Sequence, residues 1–177
     1  MPLKKPVWRG VSRLFLPVII IIISVSLVVP GSFCSSSGDD EALFLRVYDW
    51  KTGAVYVEAP TRAGAKLFFG WIHSLEKIPW NEYYHIREDR TLILDVITFP
   101  AFGAGIPENK GRVCYVKDGL IHMEEIDQEF GELVWLNSHT ATRDISLDGR
   151  HITSGAELPQ HTRLRLVIEG GGANGSK

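Results

Sequence analysis

Cysteine is the first scarcity: 177 residues contain two, Cys34 and Cys114. With Cys34 lost in a leader or held at a membrane, Cys114 has no partner, which excludes an intrachain disulfide framework. Cys114 lies in the apolar run Val113 to Val116, where a buried small hydrophobe is expected rather than a reactive thiol. The chain has no HExxH, no paired CxxC and no GxSxG, which removes the usual signatures of zinc proteases, zinc ribbons and serine hydrolases. Acidic residues are absent from residues 1–34. Beyond them, no segment keeps a 3.6-residue apolar stripe for three turns, which excludes a helical bundle.

What is present begins with a basic head (Lys4, Lys5, Arg9, Arg13) and an apolar run from Leu14 to Val29. That order is the pattern of an export signal or a membrane anchor. The run is 16 residues long and contains Pro17, short of the roughly 20 that cross a hydrocarbon core comfortably. Ser32, Phe33 and Cys34, followed by Ser35 to Ser37, have the small-x-small form of a cleavage site, so a cleaved signal and a retained anchor both stand. Phe33 occupies the place where lipidation of Cys34 would need a small residue. Positive charges precede the run and Asp39, Asp40 and Glu41 follow it, which orients the body away from the cytoplasm. Taking those four cations from 19 Lys+Arg against 21 Asp+Glu leaves a body of net charge −6. Nucleic acid is therefore not an expected partner.

The expected organisation is a signal or anchor over 1–34, a polar linker over 35–41, one domain over 42–169 and a flexible tail over 170–177. Within the domain, short runs of β-forming residues alternate with turn residues. They span Leu43–Asp49, Ala54–Glu58, Lys66–Ser74, Trp80–Arg87, Leu92–Phe99, Arg112–Lys117, Leu120–Ile126, Leu133–Leu136 continuing through Ile145–Leu147, and Arg163–Ile168. Asp118-Gly119 and Asp148-Gly149 are turn dipeptides of the kind that close hairpins. Pro60 to Ala65 and Asp127 to Glu132 are the best helical candidates, each a single turn. The expected fold is all-β: one small antiparallel sandwich or partly closed barrel, preceded by the N-terminal hydrophobic helix.

Two segments could carry chemistry. Folding His73 to Ile86 about Lys77 and Ile78 pairs Phe69 with Ile86, Trp71 with Tyr84, Leu75 with Trp80, and His73 with Glu82. Cross-strand partners lie about 4.5–5.5 Å apart at Cβ, so the imidazole and carboxylate would meet within an aromatic stripe. Such a pair could orient the ring toward a substrate or metal, or could simply satisfy a buried histidine. The second segment is Phe99 to Pro107, in which Gly103 and Gly105 permit positive φ and leave backbone N–H groups open to an anion or a partner. A plain wide turn or a bulge is the structural alternative. His139 could join His73 and Glu82 as a weak metal set. His85, His122, His151 and His161 have no ligand spacing and read as satisfied or solvated.

The sequence His73, Ser74, a spacer, Pro79 and Glu82, followed by Phe99 and the FGAGIP run ending at Pro107, resembles a small bacterial family known as a domain of unknown function (number eighteen-fifty). The resemblance extends over roughly residues 43–168. It implies an exported or membrane-anchored protein, commonly encoded beside fused-permease TRAP transporters of the TAXI type; no family activity is established, so no catalytic residue is carried over, and no cofactor is expected. The motif residues carried over are His73, Ser74, Pro79, Glu82, Phe102, Gly103, Ala104, Gly105 and Pro107. Trp80 stands where smaller apolar residues are usual. The expected function is a non-enzymatic, extracytoplasmic accessory of a TRAP permease or its solute-binding protein. The alternative is a small-ligand or metal-binding β domain using His73 and Glu82. A hydrolase with His73 as base ranks below both, for want of a nucleophile in register.

Overall fold

The computed structural model describes residues 42–103 and 110–171. The expected signal or anchor and the linker lie outside these residues, as do Ala104, Gly105, Pro107 and nearly all of the tail. Within them there are twelve strands and no helix: β1 (Leu43–Asp49), β2 (Val55–Thr61), β3 (Lys66–Ile72), β4 (Pro79–Ile86), β5 (Leu92–Phe99), β6 (Val113–Lys117), β7 (Leu120–Glu124), β8 (Gln128–Phe130), β9 (Leu133–Leu136), β10 (Thr142–Leu147), β11 (Arg150–Ser154) and β12 (Arg163–Gly170). The all-β reading holds for this region.

Every pairing is antiparallel. A four-stranded sheet runs β2-β1-β12-β9, and an eight-stranded sheet runs β11-β10-β3-β4-β5-β7-β6, with β8 also paired to β5. The Asp-Gly dipeptides act as their chemistry requires. Asp118 and Gly119 (φ 52° and 76°) join β6 to β7, and Asp148 and Gly149 (φ 49° and 75°) join β10 to β11. Both positions of each turn are left-handed, which matches the twist of the strands they connect. Pro60 is accommodated because β2 is the outer strand of its sheet, where a missing N–H breaks no ladder.

Alternate residues of β1, β3, β4 and β12 point into one shared core, as the two-residue period demands, and β5 joins them on both sides of a bulge. Leu45 and Val47 of β1 and Leu164 and Leu166 of β12 face Leu67 and Phe69 of β3, Tyr84 and Ile86 of β4, and Leu94, Ile97 and Phe99 of β5. Phe69 meets Trp135 of β9 edge-on at 5.2 Å between ring centroids, tying the two sheets together in a sandwich-like arrangement.

Several sequence expectations need correction. Leu133–Leu136 does not continue into Ile145–Leu147, because β9 pairs with β12 in one sheet and β10 with β3 in the other. The Asp127–Glu132 candidate helix holds the short strand β8 instead, bound along β5. Pro60 to Ala65 is not helical either, since β2 runs through Thr61. β11 corresponds to no expected strand. Cys114 is exposed and not buried, because β6 is an end strand whose every residue is open to solvent.

Candidate functional site

The register between β3 and β4 decides which side chains of the hairpin meet. His73 donates its backbone N–H to Ile78 O at 2.8 Å and accepts from Lys77 N at 2.9 Å, closing a four-residue loop with Lys77 at φ 56°. The strands therefore pair Phe69 with Glu82, Trp71 with Trp80 and Leu67 with Tyr84. The expected two-residue turn placed the pairing four residues out of step, so His73 does not oppose Glu82. Because the error is an even number of residues, each side chain still emerges on its expected face. The aromatic stripe survives, with different partners.

His73 is buried, 8 % exposed, at the end of that stripe. Its ring lies 5.7 Å from both Trp71 and Trp80, and its Nδ1 accepts the backbone N–H of Glu76 at 3.4 Å. These contacts define its structural role, since the imidazole packs on indoles and ties down the loop it begins. Ser74 is exposed in that loop, and Pro79 opens β4 half-buried.

Glu82 is held by its neighbours along the strand. Trp80 Nε1 donates to its Oε1 at 3.0 Å, and Tyr84 OH donates to its Oε2 at 2.7 Å. Residues two apart share a face of a strand, so Trp80-Glu82-Tyr84 is a carboxylate bracketed by two donors. Burial, reinforced by the Glu82 charge, pushes the Tyr84 phenol far above its usual range, so it stays protonated and donating. Trp80 is itself fixed by parallel stacking on Phe99 at 5.0 Å and 6°.

The carboxylate faces a cavity of about 500 Å³, within the range of small-molecule sites. β3 and β4 supply Phe69, Trp71, Glu82 and Tyr84 to its wall, while Phe130 and Trp135 close it from β8 and β9; Lys110 and Glu132 stand among the remaining lining residues. Trp135 Nε1 is buried and has no acceptor among the described residues.

The second motif meets the first at its tip. Phe102 extends the aromatic series, edge-on to Phe99 at 5.6 Å. A Cβ placed on Gly103 would overlap the Glu76 carboxyl group, so the backbone at Gly103 lies directly against the hairpin loop. Leu75 and Phe102 are left 66 % and 54 % exposed.

His139 is elsewhere: its Nε2 lies 2.9 Å from Leu158 O. No three His, Cys, Asp or Glu side chains among the described residues group as metal ligands. His85 pairs with Asp95 at 2.9 Å, His122 stacks on Tyr115 at 4.9 Å, and His151 sits between Asp144 and Glu157. The two hydrogen bonds hold the His151 imidazole above its ordinary value of 6.5, Asp144 contributing more than Glu157.

Sequence reasoning missed Trp80 and Tyr84 as the partners of Glu82, though Trp-x-Glu-x-Tyr within one strand carried the signal. It also missed Phe130 and Trp135, which arrive from strands that no local pattern connects to β4.

Comparison with curated proteins and with solved structures finds no match. A family model does match: the one described as a domain of unknown function (DUF1850) covers residues 68–153, from β3 into β11 and through both motif segments, and supports placing this chain in that family.

Proposed function

We propose that this chain is a non-enzymatic accessory protein of a TRAP-type solute transporter, exported across or anchored to the cytoplasmic membrane and acting on its outer side. The observation that carries the reading is the meeting of the two motif segments at Glu76 and Gly103, with Leu75 and Phe102 left in water beside them. Two large apolar side chains on adjoining loops form the kind of surface that a partner covers. Retention of residues 1–34 as an anchor would raise the local concentration of that surface near a permease.

The test is co-purification from native membranes of the tagged full-length chain beside a Phe102→Ala, Gly103→Ala variant, with Leu75→Ser as an independent lesion. Capture of the permease or its solute-binding protein by the wild type, and its loss in both variants, is the expected result. A wild-type eluate containing neither overturns the reading. The Gly103 change meets the Glu76 side chain and not backbone, and Glu76 lies in an exposed loop, so the fold should survive it.

A second reading, binding of a small ligand, is favoured by the cavity over Glu82. In it Glu82 is the ligand-facing group, and His73 contributes by holding the hairpin.

A further inference from the structure

Within the ligand-binding reading, on which this inference rests, we infer that the Glu82 cavity takes an organic ammonium cation. The first observation is what surrounds the carboxylate. Its partners, Trp80 Nε1 at 3.0 Å and Tyr84 OH at 2.7 Å, are neutral donors. Each uses one lone pair on one oxygen and leaves the charge itself uncompensated. Glutamine would satisfy the same two groups, its amide oxygen accepting from Trp80 and its NH₂ donating to the tyrosine oxygen. Hydrogen bonding therefore accounts for a polar residue at position 82 and not for a charged one.

The second observation is the wall. Phe69, Trp71, Tyr84, Phe130 and Trp135 line the same cavity as the carboxylate. Aromatic faces carry negative potential and attract a cation, most strongly where it is weakly hydrated. A carboxylate at one side and aromatic rings around it favour one ligand chemistry: a positive nitrogen bearing alkyl groups. An anion is repelled by Glu82 and Glu132. A neutral apolar molecule would cover a carboxylate without supplying its counter-charge. A bare metal ion finds a single carboxylate flanked by an indole N–H and a phenol O–H, a poor donor set, and no group of three ligands exists among the described residues.

Charges on every side bear on the claim. Glu132, at the rim, is 3.9 Å from Arg165, and Lys110 lines the cavity as its own cation. With Glu82 and Glu132 against Lys110, the lining is net negative. A ligand that also bears a carboxylate would find its partner in Lys110.

The experiment uses the full-length chain in a nonionic detergent, followed by tryptophan fluorescence and calorimetry. The probes are tetramethylammonium and n-butylammonium chloride, with n-butanol and sodium butyrate as neutral and anionic counterparts at constant ionic strength. The expected result is saturable binding of the ammonium probes alone, weakened at least ten-fold in Glu82→Gln with an unchanged melting temperature. Phe130→Leu, which removes one aromatic wall on a partly exposed strand, is a second lesion and weakens the same probes. Binding of n-butanol or butyrate as tight as that of the ammonium probes, indifferent to Glu82→Gln, overturns the cation assignment and leaves a ligand pocket standing. No saturable binding of any of the four probes overturns both.

Discussion

The two faces of the eight-stranded sheet each hold a carboxylate on neighbouring strands, and the chain treats them differently. On the outer face Asp95 of β5 is met by His85 at 2.9 Å and by Lys66 Nζ at 3.7 Å. On the inner face Glu82 of β4 is met by an indole and a phenol. Asp95 thus has its counter-charge written into the fold, whereas Glu82 has hydrogen-bond donors and no ion pair among the described residues, Lys110 being the cation of the same cavity lining. The surroundings differ as well: Phe68 and Tyr83 meet with tilted rings at 5.2 Å beside a groove of about 880 Å³ on the outer face, while the inner rings line a cavity of about 500 Å³ that Trp135 of the second sheet also walls. A charge neutralised internally reads as structure, and a charge held without neutralisation reads as a place kept for something else.

The hardest blow to the inner face is Phe99→Ala. It removes a fully buried ring from beneath Trp80, and a loss of about 3–5 kcal/mol in urea denaturation is expected. Tyr83→Ala, on the exposed side of the same sheet, should cost under about 1 kcal/mol. Equal losses would erase the distinction between the faces.

The carboxylates themselves come next. Glu82→Leu leaves the buried Tyr84 hydroxyl and the Trp80 N–H without an acceptor, so a cost of about 2–4 kcal/mol is expected. Glu82→Gln should stay within about 1 kcal/mol, because both groups keep a partner. Asp95→Asn should also cost less than about 1 kcal/mol, its ion pairs being partly exposed. An Asp95 variant as damaging as Glu82→Leu would contradict the account of both.

Trp135→Phe probes the cavity wall from the opposite sheet. It deletes a buried N–H that has no acceptor among the described residues, so stability should change by less than about 1 kcal/mol in either direction despite the lost ring area. A large loss in thermal denaturation would mean that this N–H is satisfied in solution.

The smallest effect extends the comparison to the end strand β11, where His151 is flanked by two carboxylates. Its raised pKa means that its contribution to stability is fully present below its ordinary value of 6.5 and disappears as pH rises through the elevated one. Glu157 is lowered from 4.5, chiefly by Ser154 and then by His151, so its contribution exists above that value and is lost as pH falls through the depressed one. NMR titration of the His151 ring should give a midpoint above 6.5, falling back toward it in Asp144→Asn.

Local signals carried most of the fold. Strand existence followed from period-two alternation, and β1 and β5 lie over the expected residues, Leu43–Asp49 and Leu92–Phe99. The breaks came where an element depends on a distant partner. Three-residue β8 is a strand only because Leu92, Ile93 and Leu94 offer it an edge, and β11 is defined by pairing with β10. At the site, the face of every hairpin residue was readable while the register was not, because Lys77 takes a left-handed φ that no glycine or asparagine announces. The expected His73 and Glu82 contact was a cross-strand argument and failed with the register. An along-strand argument from Trp80, Glu82 and Tyr84 needed no register at all.

The first strand of the domain lies beside its last. β1 pairs along its whole length with β12, and Arg46 bonds Glu169, 123 residues away. In folding, that contact closes nearly all of the β domain into one loop, the slow and entropically expensive kind of closure. Until Arg163–Gly170 has docked, Leu45 and Val47 have no complete sheet to cover them and β9 has no strand beside it. A chain cut short before residue 163 should therefore lose the four-stranded sheet as a unit, and with it the Trp135 wall of the cavity, although Trp80 and Tyr84, the partners of Glu82, would still be present.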